Sequence, residues 1–151
     1  MLLIRPLVSV IIVNFNGCHL LRECLPTILN QDYPNYDVIV FDNGSNDLSV
    51  NYLKSTYPEV KVYCSKENLG FAGGNNRAVE LAEGEYVILL NNDTKVIRNF
   101  ISTLVESAEG RIHTASVAPR IVRSQGANLD GPQFTHNGFL VPTMYFLFAR
   151  R

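Results

Sequence analysis

The chain contains no tryptophan, and cysteine and histidine occur only three times each in 151 residues. Cys18, Cys24 and Cys64 are odd in number and form no Cys-x-x-Cys pair. That argues against a disulfide framework and against structural zinc, and it fits single thiols buried in a reducing, cytoplasmic compartment. His19, His113 and His136 share no spacing with one another or with the cysteines, so they read as structural or surface residues. Basic charge is not in excess either. Thirteen Lys and Arg against fourteen Asp and Glu leave a net charge of −1, too little to hold a nucleic-acid backbone. Long apolar runs are also missing. Residues 7–13 follow Arg5, but no small-residue cleavage site comes after them. Residues 139–149 are uncharged but too short for a transmembrane segment, and Pro142 interrupts them, so they read as a buried strand.

What is present is an alternation of two periods. Residues 8–13 are β-branched apart from Ser9 and end in turn residues, as expected of a strand buried on both faces. Leu20, Cys24 and Ile28, with Leu21, Leu25 and Leu29, then form adjacent i, i+4 rows on one helical face. Pro26 lies inside that helix and predicts a kink or local break. Further strands are expected over residues 37–41, 60–64, 86–90 and within 114–122. Helices are expected from about Asp47, as cap, to Thr56, over 75–82 with closure near Gly84, and over 99–108. Residues 68–74 read as a glycine-rich loop. This order is that of an α/β domain, an open and mostly parallel sheet with helices on both faces. A single domain is expected. In such sheets the ligand lies outside the carboxyl ends of the strands.

Three loops at those ends carry the unusual residues: 14–17, 42–47 and 91–93. Asp93, just past a buried strand, with Asn91 and Asn92 beside it, suits Mg²⁺ or Mn²⁺ shared with a diphosphate better than a free-standing metal cage. An Asx turn explains the same triplet. Asp42 and Asn43 offer an acceptor and an amide that suit a pyrimidine edge or a ribose hydroxyl, and also an ordinary turn. Phe15 suits stacking on a base or plugging the top of the core. Gly70, Gly73 and Gly74 permit close backbone approach ahead of a helix whose free amides suit an anion. The segment matches neither G-x-G-x-x-G nor the P-loop pattern, so neither a dinucleotide enzyme nor a P-loop protein is indicated.

Taken together, Val8-Ser-Val-Ile-Ile-Val-Asn-Phe-Asn16, Phe41-Asp-Asn-Gly-Ser-Asn-Asp47, residues 68–76 and Leu89-Leu-Asn-Asn-Asp-Thr94 resemble family-2 glycosyltransferases of the GT-A fold, and most nearly the rhamnosyltransferase-like branch. The resemblance covers residues 6–123 in the family's order, and the four-part combination is more specific than any one member. It implies inverting transfer of a sugar, rhamnose by the branch, from a UDP- or dTDP-linked donor to a glycan or lipid-linked acceptor. It also implies a nucleotide site formed by Asn14, Phe15, Asp42, Asn43, Gly73, Asn76, Asn92 and Asp93. Phe15 would lie on the nucleobase, Asp42 and Asn43 on base or ribose, Gly73 and Asn76 near the diphosphate or sugar, and Asp93 on a divalent metal.

Asn43 and Asn92 stand where many relatives have Asp, which lowers the negative charge around the metal. Residues 146–151 resemble the strand before the family's acidic segment, so the catalytic base is expected beyond Arg151 and no acid here is named for it. The chain alone is then expected to bind donor without transferring sugar. A cytoplasmic place is expected, with peripheral contact at the inner face of the membrane left open. Two other readings stay beside this one: a nucleotide-sugar-binding module or inactive remnant, and an unrelated α/β domain whose loops are only turns.

Overall fold

A computed structural model describes residues 5–109, 116–119 and 147–149. The strands β1 (Val8–Asn14), β2 (Tyr36–Asp42), β3 (Lys61–Cys64) and β4 (Tyr86–Leu89) alternate with the helices α1 (Cys18–Ile28), α2 (Ser49–Thr56) and α3 (Gly70–Val79). After them come α4 (Phe100–Glu109), β5 (Ser116–Val117) and β6 (Leu147–Ala149). The sheet order is β3-β2-β1-β4-β6-β5. The first four strands are parallel, and β6 joins antiparallel to both β4 and β5. The expected mostly parallel α/β sheet is what forms.

The two-residue period of the strands divides the core into two layers. Val8, Val10, Ile12, Val38, Val40 and Ile88 face one side, with Leu21, Leu25 and Ile28 of α1, Leu53 of α2 and Ile101 and Leu104 of α4. Ile11, Ile39, Phe41 and Val87 face the other side, where Ala78 of α3 packs on them. Burying one such branched side chain contributes about 1.5–3 kcal/mol, so both faces of the sheet are driven to be covered.

The structure corrects four expectations. No break occurs at Pro26: α1 runs through it as a single helix. Pro26 falls in the last turn on the exposed side, and the carbonyl it leaves without a helical donor belongs to exposed Arg22, where water can serve it. The segment read as a glycine-rich loop is largely helix, because α3 begins at Gly70. Gly84 is not a helix closure. It donates its amide to Ser9 Oγ at 2.9 Å, and a Cβ there would stand 2.5 Å from the Ser9 nitrogen. The cysteines are not all buried: Cys24 is, Cys18 is half-buried and Cys64 is exposed. His19 is exposed, while His113, His136, most of the expected 139–149 strand and the segment around Arg151 lie outside the described residues.

Candidate functional site

Parallel pairing brings the carboxyl ends of β1, β2 and β3 level, with Asn14 beside Asp42 and Asp42 beside Cys64. Leu89 pairs with Ile11, and the ladder extends one step as the Leu90 amide donates to the Ile11 carbonyl. Residues 91–93 therefore leave β4 next to the end of β1. Three loops far apart in sequence meet at one edge of the sheet.

Side-chain amides lock them together. Asn14, wholly buried, donates from Nδ2 to Asp42 Oδ1 at 3.2 Å and to Ser45 Oγ at 3.3 Å. Its Oδ1 accepts from Asn92 Nδ2 at 2.9 Å. The other oxygen of Asp42, Oδ2, accepts the Ser45 amide at 2.9 Å. Asn16 holds a left-handed backbone at φ 50°. Its amide donates to Ser45 Oγ at 2.8 Å, and its side-chain oxygen accepts the Asn46 amide at 2.9 Å. The left-handed region is costly for most side chains, but Asn tolerates it. Phe15 is thereby held out from the core, 47% exposed. Of the two roles open to it, the core plug is excluded.

Asn43 fixes the start of α3. It donates from Nδ2 to Asn68 Oδ1 at 2.9 Å and to the Gly70 carbonyl at 3.1 Å, and its Oδ1 accepts the Leu69 amide at 3.0 Å. Asn68 Oδ1 also accepts the Gly70 amide at 2.8 Å. One of the amides expected to be free for an anion is thus already used. Gly70 itself sits at φ 73°. Gly74 lets the helix touch the sheet, since a Cβ there would lie 2.9 Å from Val13 Cγ1 and 3.1 Å from Asn43 Nδ2. Gly73 is half-buried and Asn76 exposed on the same helix.

Asp93 is exposed past the end of β4, and its Oδ1 accepts the Thr94 hydroxyl at 3.4 Å. Among the described residues no three His, Cys, Asp or Glu converge into a metal cage. A single outward carboxylate fits a hard divalent cation whose other ligands are phosphate oxygens and water. Behind it, the Cys24 thiol donates to the Asn91 carbonyl at 3.8 Å. Burial pushes that thiol up to about 12, the Asp93 charge adds to the rise and the Thr94 backbone opposes it, so the thiol is protonated at neutral pH.

Sequence reasoning named the hub residues Asn14, Asp42, Asn43 and Asn92 but gave no role to Asn16, Ser45 and Asn68. Asn16, Ser45 and Asn68 fall inside the quoted motifs, yet nothing in their order says that they bond across 25 to 31 residues. Asp47 was expected to cap one helix and serves two. Its Oδ1 accepts the Ser49 amide at 2.9 Å and its Oδ2 the Cys18 amide at 3.0 Å.

The sequence matches the profile described as Glycosyl transferase family 2 over residues 9–150. It is 32% identical over 113 residues to the GalNAc(5)-diNAcBac-PP-undecaprenol beta-1,3-glucosyltransferase of Campylobacter jejuni, covering 72% of this chain and 37% of that protein. Among solved structures, the mannosyltransferase PcManGT from Pyrobaculum calidifontis, in complex with GDP-Man and Mn²⁺, is 32% identical with a TM-score of 0.54. That match covers 62% of this chain and 29% of the mannosyltransferase. TarS 1-349 of S. aureus superposes with a TM-score of 0.72 over 94% of this chain and 46% of its own, a likeness of fold at 20% identity. The chain spans less than half the length of each of these three proteins. Sheet order, two-sided helical cover and neighbours agree on the GT-A type of α/β fold, and the chain belongs to glycosyl transferase family 2.

Proposed function

We propose that the carboxyl edge of this sheet binds a nucleoside diphosphate sugar, and that the whole protein transfers the sugar to a saccharide or lipid-linked acceptor with inversion at the anomeric carbon. The observation that carries the reading is the division of the edge into two exposed ends and a locked centre. Phe15 offers an exposed aromatic ring at one end and Asp93 an exposed carboxylate at the other. The polar residues between them are bonded to one another. The bonded centre fixes the spacing between the two exposed ends.

In this reading the base stacks on Phe15. Asp42, held by Asn14 and Ser45, has lone pairs left for a base or ribose donor once that edge opens to ligand. Asn43 acts by setting the position of residues 68–70. Gly73 and Asn76, on α3, are assigned to the diphosphate or sugar, and Asn92 and Asp93 to the diphosphate and its cation. A bound Mg²⁺ or Mn²⁺ would neutralise charge on the departing diphosphate. The mannosyltransferase with GDP-Man and Mn²⁺ supports a nucleotide sugar and a divalent metal. The undecaprenol-linked substrate named for the Campylobacter relative supports a lipid-linked acceptor, and with it a place at the inner face of the membrane. Among the described residues no helix is long and apolar enough to cross a bilayer. UDP or dTDP is the proposed carrier, and rhamnose the proposed sugar.

A second reading, donor binding without transfer, has one observation in its favour. The carboxylates of loops 14–17, 42–47 and 91–93 are Asp42, Asp47 and Asp93. Protein donors hold the first two, and the third is the proposed metal ligand. None of them is assigned as general base. Calorimetric titration with UDP, dTDP and GDP, each with and without Mn²⁺, tests the common part of both readings. Micromolar binding that tightens with Mn²⁺ is expected. No binding of any nucleoside diphosphate under either condition would leave the loops as turns. Labelled sugar nucleotides with a lipid or glycan acceptor extract then separate transferase from binding module.

A further inference from the structure

We infer that Asn14 is a positioning residue that couples the two ends of the site, through a one-way relay running from Asn92 to Asn14 to Asp42. This rests on the proposed function for its meaning, but the relay itself is a matter of hydrogen-bond direction. Asn92 Nδ2 donates to Asn14 Oδ1, and Asn14 Nδ2 donates to Asp42 Oδ1 and Ser45 Oγ. Ser45 Oγ in turn accepts the amide of Asn16, next to Phe15.

The Asn14 carboxamide has only one workable orientation. Turned over, it would set its oxygen against the Asp42 carboxylate and its NH₂ against the Asn92 NH₂, losing both bonds. Asn14 is 0% exposed, so water cannot replace either partner, and a buried amide left unpaired is costly. Asn92 must therefore be a donor. A carboxylate at 92 would face the Asn14 oxygen with lone pairs on both sides, which gives the Asn at this position a physical reason. Any ligand that shifts residues 92 and 93 pulls on Asn14, and so on Asp42 and the Phe15 loop.

Gly17 offers a way to cut this relay at one bond. A Cβ on Gly17 would lie 2.5 Å from Asn14 Oδ1 and 2.5 Å from Asn92 Nδ2, the two atoms of the first hydrogen bond. Gly17 has φ −112°, which alanine also adopts. Both obstructing atoms are side-chain ends that can move, so Gly17→Ala should part them while the fold persists.

The experiment follows amide hydrogen exchange by NMR in the full chain, at the side chains of Asn14 and Asn92 and at the backbone of Ser45. In Gly17→Ala all three should lose protection together, by about tenfold or more. Asn92→Ala, which removes the donor without a wedge, should produce the same joint loss at Asn14 and Ser45 and guards against misfolding of the first variant. Loss at residue 92 alone, with Asn14 and Ser45 still protected, would overturn the relay. UDP titration then reads the coupling: the factor by which Mn²⁺ tightens UDP should fall at least about threefold in Gly17→Ala. An unchanged Mn²⁺ factor would also overturn it. Failure of the parent to bind any of UDP, dTDP and GDP would refute the proposed function instead, and the exchange measurement would still decide whether the relay exists.

Discussion

Asp47 Oδ2 accepts the amide of Cys18 at 3.0 Å, across 29 residues of sequence, while its other oxygen accepts the amide of Ser49 at 2.9 Å. One carboxylate therefore caps the first residues of both α1 and α2. Neither helix has a capping side chain at its own N-cap position, where Gly17 and Leu48 stand. Amino-terminal amides left by the helical pattern need an acceptor, and the helix dipole favours an anionic one.

Replacing Asp47 with alanine should lower stability by about 1–2 kcal/mol near neutral pH, the usual cost of a lost cap. The pH dependence has a definite sign. Burial raises the Asp47 pKa, but hydrogen bonds from Ser49 and from the Cys18 backbone outweigh it, so the folded value lies below the ordinary 3.8. A lowered carboxylate pKa gives stability that is present above the unfolded value and lost as pH falls through the folded one. The gap between the parent and Asp47→Ala in urea unfolding should shrink below about pH 4. An equal gap at pH 7 and pH 3 would mean the charge contributes nothing.

Phe15→Ala separates binding from folding. Stacking on an aromatic ring contributes about 1–3 kcal/mol, so nucleotide affinity should fall roughly tenfold or more. Because Phe15 is exposed, the melting temperature should move by no more than about 2 °C, as for other surface substitutions. A large drop in melting temperature with proportionate loss of binding would return Phe15 to the core.

Gly74→Ala tests the seat of α3 on the sheet. The added methyl would meet Val13 Cγ1 at 2.9 Å and Asn43 Nδ2 at 3.1 Å. An overpacking cost of about 1–3 kcal/mol is expected, despite the better helix propensity of alanine. Gain of stability in thermal unfolding would show that the helix is free to move away.

The strands and helices were legible because burial on both faces gives β-branched runs, while one-sided helices repeat at 3.6 residues. The start of α3 was not. Gly70, Gly73 and Gly74 read as loop by propensity, yet Gly74 is needed for contact with Val13, and Asn43 with Asn68 sets where the first turn begins. Pro26 misled for the opposite reason, since its penalty depends on which way the Arg22 carbonyl faces. At the site, the residue types were legible and their work was not. Asn14 and Asn92 are 78 residues apart, and only the register of β1 with β4 places them within reach. Whether Phe15 faces solvent or core turned on the φ of Asn16, which no neighbour in sequence announces.

In the proposed site a divalent cation joins the nucleotide diphosphate to Asp93. Calorimetric titration of the parent and of Asp93→Asn with UDP and dTDP, at zero and saturating Mn²⁺, tests it most directly. The parent should bind about tenfold or more tightly with Mn²⁺ than without, and the variant should bind equally in both. Both proteins should melt at nearly the same temperature, because Asp93 is exposed and, among the described residues, its side chain bonds only to Thr94 next to it. The same Mn²⁺ tightening in Asp93→Asn would remove Asp93 from the metal site.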